Sequence, residues 1–92
     1  MNKLRTTIQE LVYGEKYVIS WNHIKSRHPN ITEAEILNGL VYGSYKPDRD
    51  YDGRYIAWSR FTYSKRLIRI VFKIQETTDD NFILVITAFD EE

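Results

Sequence analysis

Apolar residues recur with a helical period in the first half of the chain and with a strand period in the second. Leu4, Ile8, Leu11 and Val12 follow the i, i+4, i+7, i+8 spacing of one helical face, which predicts a first helix over residues 3–13 that stops at Gly14. Tyr17 to Ile19 reads as a short strand leading into a second, brief helix, Trp21 to His28. Pro29 must end that helix, because it has no amide donor and disfavours helix at the residue before it. Thr32-Glu33-Ala34-Glu35 is a capping box, in which Thr32 accepts from the Glu35 amide and Glu35 reaches back. Ile31 and Ile36 stand at the two positions of a hydrophobic staple. Ile36, Leu37, Leu40 and Val41 form the buried stripe of this third helix, and Gly43 ends it.

Residues 44–53 (SYKPDRDYDG) are turn and loop chemistry. Arg54 to Phe61 reads as a strand and Thr62 to Lys65 as a tight connection. Arg66 to Gln75 alternates, with Ile68, Ile70, Phe72 and Ile74 on one face and Leu67, Arg69, Val71, Lys73 and Gln75 on the other. The polar run Glu76 to Asn81 is a second turn, and Phe82 to Phe89 is apolar almost throughout, as in a central strand. From Arg54 to Phe89 the expectation is therefore a three-stranded antiparallel meander. The fold class is α+β, a single domain over residues 1–92 with N-terminal helices packed on a three- to four-stranded antiparallel sheet.

Composition supports folding: 42% of the 92 residues are hydrophobic and 14% aromatic. With no cysteine there are no disulfides, thiolate metal sites or cysteine nucleophiles, which fits a reducing compartment. The N-terminus lacks the apolar core of a signal peptide, and no stretch approaches the roughly 18 apolar residues of a membrane span, so a cytoplasmic location is expected. The formal net charge of zero conceals segregation. Arg54, Arg60, Lys65, Arg66, Arg69 and Lys73 fall in a stretch without acids, and Glu76, Asp79, Asp80, Asp90, Glu91 and Glu92 in a stretch without bases.

Most candidate chemistry is weak. Asp48, Asp50, Asp52 and Gly53 match the opening of a calcium loop, but the position due a bidentate glutamate is Ser59, so an acidic surface turn is the expectation. His23 and His28 lie about 140° apart around a helix and cannot share a metal. No phosphate-cradling glycine loop or nucleophile elbow is present, and neither metal nor small-molecule cofactor is expected. Asn30-Ile31-Thr32 is a glycosylation sequon that carries meaning only in a secreted chain. The meander is the remaining candidate. With Ile56 and Trp58 pointing into the core, alternation turns Tyr55, Ala57 and Ser59 to the far side with Arg69, Lys73 and Thr87, a face able to grip phosphate and stack a base.

Several segments resemble a known family. Trp21-Asn22-His23-Ile24 runs into His28-Pro29-Asn30-Ile31-Thr32. The segment Asp52-Gly53-Arg54-Tyr55-Ile56-Ala57 follows, then Lys65-Arg66-Leu67-Ile68-Arg69-Ile70-Val71-Phe72 and Val85-Ile86-Thr87-Ala88. Together they resemble BrnT toxins and a related uncharacterised domain family of the RelE-like superfamily, over roughly Tyr17 to Ala88. The resemblance implies a RelE-like fold, metal-independent RNA cleavage on the sheet face and a cognate antitoxin that covers it. In its terms Arg69, Arg60 and Tyr55 are the catalytic candidates, and Lys73, Arg54, Arg66 and Lys65 the RNA-binding ones. Such toxins continue from the Thr87-Ala88 equivalent into arginine and a basic helix, where this chain has Phe89-Asp90-Glu91-Glu92. That departure gives the alternative, a non-catalytic protein-binding module of the same fold.

Overall fold

The computed structural model of the chain describes residues 3–60 and 66–91. Its elements run α1 (Lys3–Tyr13), β1 (Tyr17–Ile19), α2 (Trp21–Arg27), α3 (Glu33–Tyr42), β2 (Ser44–Pro47), β3 (Arg54–Arg60), β4 (Leu67–Glu76) and β5 (Asn81–Asp90). The α+β class and the positions of all three helices agree with the sequence patterns. β3, β4 and β5 form the antiparallel meander. Phe61 and the connection through Lys65 lie outside the described residues.

The sheet is larger than the expected three or four antiparallel strands. It has five strands in the order β1-β5-β4-β3-β2, and β1 runs parallel to β5. Two local causes account for the difference. The first is that Ser44–Pro47, expected as loop, pairs antiparallel with β3, and the turn proper begins only at Asp48, whose amide donates to the Arg54 carbonyl at 2.9 Å. Pro47 is compatible with a strand here because β2 is an edge. The second is that the chain leaving α1 lies beside β5. The Ile83 amide donates to the Lys16 carbonyl at 3.0 Å and the Ser20 amide to the Val85 carbonyl at 3.1 Å. An ion pair between Lys16 and Asp80 at 2.9 Å clips the same edge, and the hydrogen bond from Lys16 holds the Asp80 carboxyl below the usual aspartate range.

The core lies between the helices and one face of the sheet. Ile8, Leu11 and Val12 of α1, Ile24 of α2, and Ile36, Leu40 and Val41 of α3 meet Ala57, Ile68, Ile70, Phe72, Ile83, Val85 and Ala88. The β4–β5 register jumps from Val71↔Thr87 to Phe72↔Val85, so a bulge passes over Ile86 and Ala88 recovers the inward side.

The capping box forms as its residues predict. The Glu35 amide donates to Thr32 Oγ1 at 3.3 Å, and Glu35 Oε1 accepts from the Thr32 amide at 2.9 Å. The Glu35 side chain is only 2% exposed and is held by Arg66, whose Nη2 lies 2.7 Å from Oε1 and whose Nε lies 3.2 Å from Oε2. Arg66 Nη2 also donates to the Asn30 carbonyl at 2.8 Å. At the other end of α3, Arg5 donates to the Val41 and Gly43 carbonyls and lies over the Tyr45 ring at 4.6 Å.

Breaking the Glu35–Arg66 pair from one side leaves a buried carboxylate without its cation. Arg66→Met is expected to lower unfolding stability by about 3 kcal/mol in urea titration, whereas an exposed cation contributes under about 1 kcal/mol. Gly43 joins α3 to β2, and a Cβ there would stand 2.4 Å from the Gly39 carbonyl oxygen and 2.5 Å from that of Trp58. Both obstacles are backbone, so Gly43→Ala should cost about 2–3 kcal/mol by the same measurement.

Candidate nucleic-acid interface

Cross-strand partners share a face of a sheet, so the register assigns every strand residue to one side. Tyr55 pairs with Phe72, Ala57 with Ile70 and Ser59 with Ile68, which puts all three on the helix-covered face. Arg54 pairs with Lys73, Ile56 with Val71, Trp58 with Arg69 and Arg60 with Leu67 on the open face. The expectation that Ile56 and Trp58 fill the core, with Tyr55 outside, is thus inverted by one residue. The cause is the closeness of α3. A Cβ on Gly39 would come 3.3 Å from Ser59 Cβ and 2.3 Å from Ile70 Cδ1, so the inward positions of β3 beside this helix must be small. Asn38 Nδ2 donates to Ser59 Oγ across the same contact.

The inversion changes the membership of the candidate site. Arg54, Arg60, Arg69 and Lys73 come together on the open face. Tyr55 leaves it: its ring stacks on Phe72 at 5.8 Å on the helix side. Arg66 leaves it too, being committed to Glu35 and, at 3.8 Å, to Asp90. Lys65 lies outside the described residues.

Three residues, Lys46, Trp58 and Glu91, join the face that sequence patterns did not bring there. Lys46 of β2 lies 5.2 Å from the Trp58 ring. Trp58 itself faces Arg69, whose guanidinium carbon is 5.6 Å from its centroid and 5.2 Å from that of Phe89. Glu91 follows β5, and its Oε1 accepts from Trp58 Nε1 at 3.3 Å and Arg69 Nη1 at 3.4 Å. The usable sequence signal was the pairing of small inward residues, Ala57 and Ser59, with a helix that carries Gly39 in its packed stripe.

Arg69 is the centre of this arrangement. Its Nε is buried and has no hydrogen-bond partner. Beside it a recess of about 160 Å³ is lined by Lys46, Asp48, Arg49, Asp50, Ile56 and Arg69. In the loop over this recess Asp48 Oδ1 accepts from the Asp50 amide at 3.0 Å, the turn geometry of a surface aspartate. Among the described residues no three His, Asp or Glu side chains are grouped as a metal set. At the rim His28 contacts Phe89 with ring centroids 5.9 Å apart. No described helix is long and apolar enough to cross a membrane. The face therefore presents cations, an indole plane and one carboxylate.

Comparison with models of protein families, with curated proteins and with solved structures yields no match.

Because Tyr55 packs inward, its ring contributes to stability and not to the open face. Tyr55→Ala should destabilise the protein by about 2–3 kcal/mol in thermal or urea unfolding, and Tyr55→Phe by under about 1 kcal/mol. A Tyr55→Phe variant that folds normally but loses a surface-binding activity would contradict this placement.

Proposed function

We propose that the protein binds single-stranded RNA across the open face of its sheet, as a RelE/BrnT-like member of the toxin superfamily that its strands resemble. The observation carrying this reading is the placement of Arg54, Arg60, Arg69 and Lys73 on one face, with Lys46 and Trp58 among them. Arg69 and Lys73 neutralise phosphates, and Trp58 provides a plane on which a base stacks. The antiparallel β3–β4–β5 meander, with helices on one side and an open face on the other, supports the RelE-like reading of the fold.

Binding and cleavage separate in this site. Binding needs the cations and the ring. Metal-independent cleavage also needs a proton acceptor for the attacking 2′-hydroxyl and cations at the scissile phosphate. Arg69 and Arg60 fill the second role, and the carboxylate nearest Arg69 is Glu91. A second reading, a non-catalytic module that docks a protein such as a cognate antitoxin, is favoured by the apolar residues Leu67, Val71, Leu84 and Phe89 on the same face.

Anisotropy of a labelled 12-nucleotide RNA tests the first reading. With four phosphate contacts, log Kd should rise with log salt at a slope of about 3, and Arg69→Ala/Lys73→Ala should lower the slope by about 1.4. Glu91→Gln, which releases Arg69, should bind about two- to fivefold tighter. Absence of binding at micromolar protein and low salt overturns the RNA reading, and recovery of a stoichiometric protein partner that Trp58→Ala abolishes supports the second. Inducible expression with growth and RNA integrity followed decides cleavage: a wild-type chain that neither slows growth nor cuts RNA is not a ribonuclease toxin.

A further inference from the structure

Away from the sheet's open face, α1 and α3 part to leave a groove of about 480 Å³, lined by Val12, Tyr13, Glu15, Tyr17, Leu37 and Tyr42 among others. Ala34, Leu37, Asn38 and Val41 of its α3 wall follow the i, i+3, i+4, i+7 spacing of one helix face. Tyr13 and Tyr42 are 69% and 72% exposed, large aromatic surface left in water.

The charge around these rings has one sign. Glu15 lines the groove, and burial, followed by the negative charges of Glu33 and Glu15, raises the Tyr17 hydroxyl above the usual tyrosine range. Among the described residues no cation lines the groove. The neighbouring Lys16 is turned to Asp80 and Arg5 to the carbonyls that close α3. Glu15 also holds a left-handed backbone, φ 59, the only described residue other than glycine with positive φ. That conformation closes α1: the Glu15 amide donates to the Val12 carbonyl at 3.0 Å and the Lys16 amide to the Leu11 carbonyl at 2.8 Å, a Schellman cap that turns the Glu15 side chain out beside the groove.

We propose that this groove receives an arginine side chain from a basic peptide partner. A guanidinium lying on the tyrosine faces gains cation–π attraction, and its N–H groups reach the Glu15 carboxylate that lines the groove. The aliphatic stem covers Leu37 and Val12. The groove is open along its length, as a peptide requires, and tyrosine with acid is complementary to arginine. This proposal does not depend on the sheet-face reading, since the groove belongs to the helix layer.

The test is a titration of the full chain, followed by backbone amide NMR shifts, with a capped Leu-Arg-Leu peptide and its Leu-citrulline-Leu counterpart. Citrulline keeps the shape of arginine and removes the charge. The arginine peptide should shift the amides of Tyr13, Glu15, Leu37 and Tyr42, and citrulline should bind at least fivefold more weakly. Tyr42→Leu and Glu15→Gln, both at exposed positions, should each weaken arginine binding at least threefold with the remaining spectrum unchanged. Equal affinity for the two peptides, shifts confined to other surfaces, or no shifts at millimolar peptide each overturn the proposal.

Discussion

The distance between α3 and the sheet is the constraint on which the other features hang. Gly39 leaves no room for a side chain beside Ser59 and Ile70, and Gly43 leaves none between the end of α3 and β3. Only small residues on β3 can face a helix set this close, so Ala57 and Ser59 turn inward. Because side chains alternate along a strand, that choice sends Arg54, Ile56, Trp58 and Arg60 outward together. The register with β4 then places Arg69 and Lys73 beside them. A helix contact on one side of the sheet thus determines the chemistry presented on the other.

Glu35 acts on the same helix from its first turn. One carboxylate closes the capping box with Thr32 and receives the guanidinium of Arg66, so α3 is tied to the start of β4 at the point where it enters the core. A buried charge is tolerated only when its partners satisfy it, and here both oxygens are engaged. A cation that the charge pattern alone places in a basic ribbon is thereby committed to a buried carboxylate.

The helices were legible because each is written in local chemistry. The Thr32–Glu35 box, the α1 stripe and the Pro29 stop involve residues within a turn or two of one another. The meander was legible for the same reason, through the alternation of Ile68, Ile70 and Phe72. What was not legible depends on contacts distant in sequence. β2 becomes a strand only because β3 offers it an edge, and its Ser-Tyr-Lys-Pro sequence reads as a turn by itself. The facing of β3 depends on Gly39, and hydrophobicity alone misleads there, since Ile56 and Trp58 are larger than the residues that fit. The β5 run hides its bulge at Ile86, because residues on both faces are apolar. The basic face was therefore recognised as a face, but Tyr55 and Arg66 were counted in it while Lys46, Trp58 and Glu91 were not.

Arg66 and Arg69 make the distinction between structural and available charge concrete. Arg66 immediately precedes β4 and Arg69 lies three positions on within it, so the two face opposite sides of the sheet. Arg66 meets a buried carboxylate with two of its nitrogens and a backbone carbonyl with one of them, and its protonation is reinforced by that hydrogen bonding. Arg69 is held between two aromatic rings, has a carboxylate at the long distance of 3.4 Å, and keeps its buried Nε without an acceptor. A buried donor left unsatisfied costs about 1–3 kcal/mol. That cost stands against the cation–π contacts Arg69 makes with Trp58 and Phe89. The same residue type, three positions apart, therefore pins a helix to the sheet in one case and sits between exposed-face aromatic rings in the other.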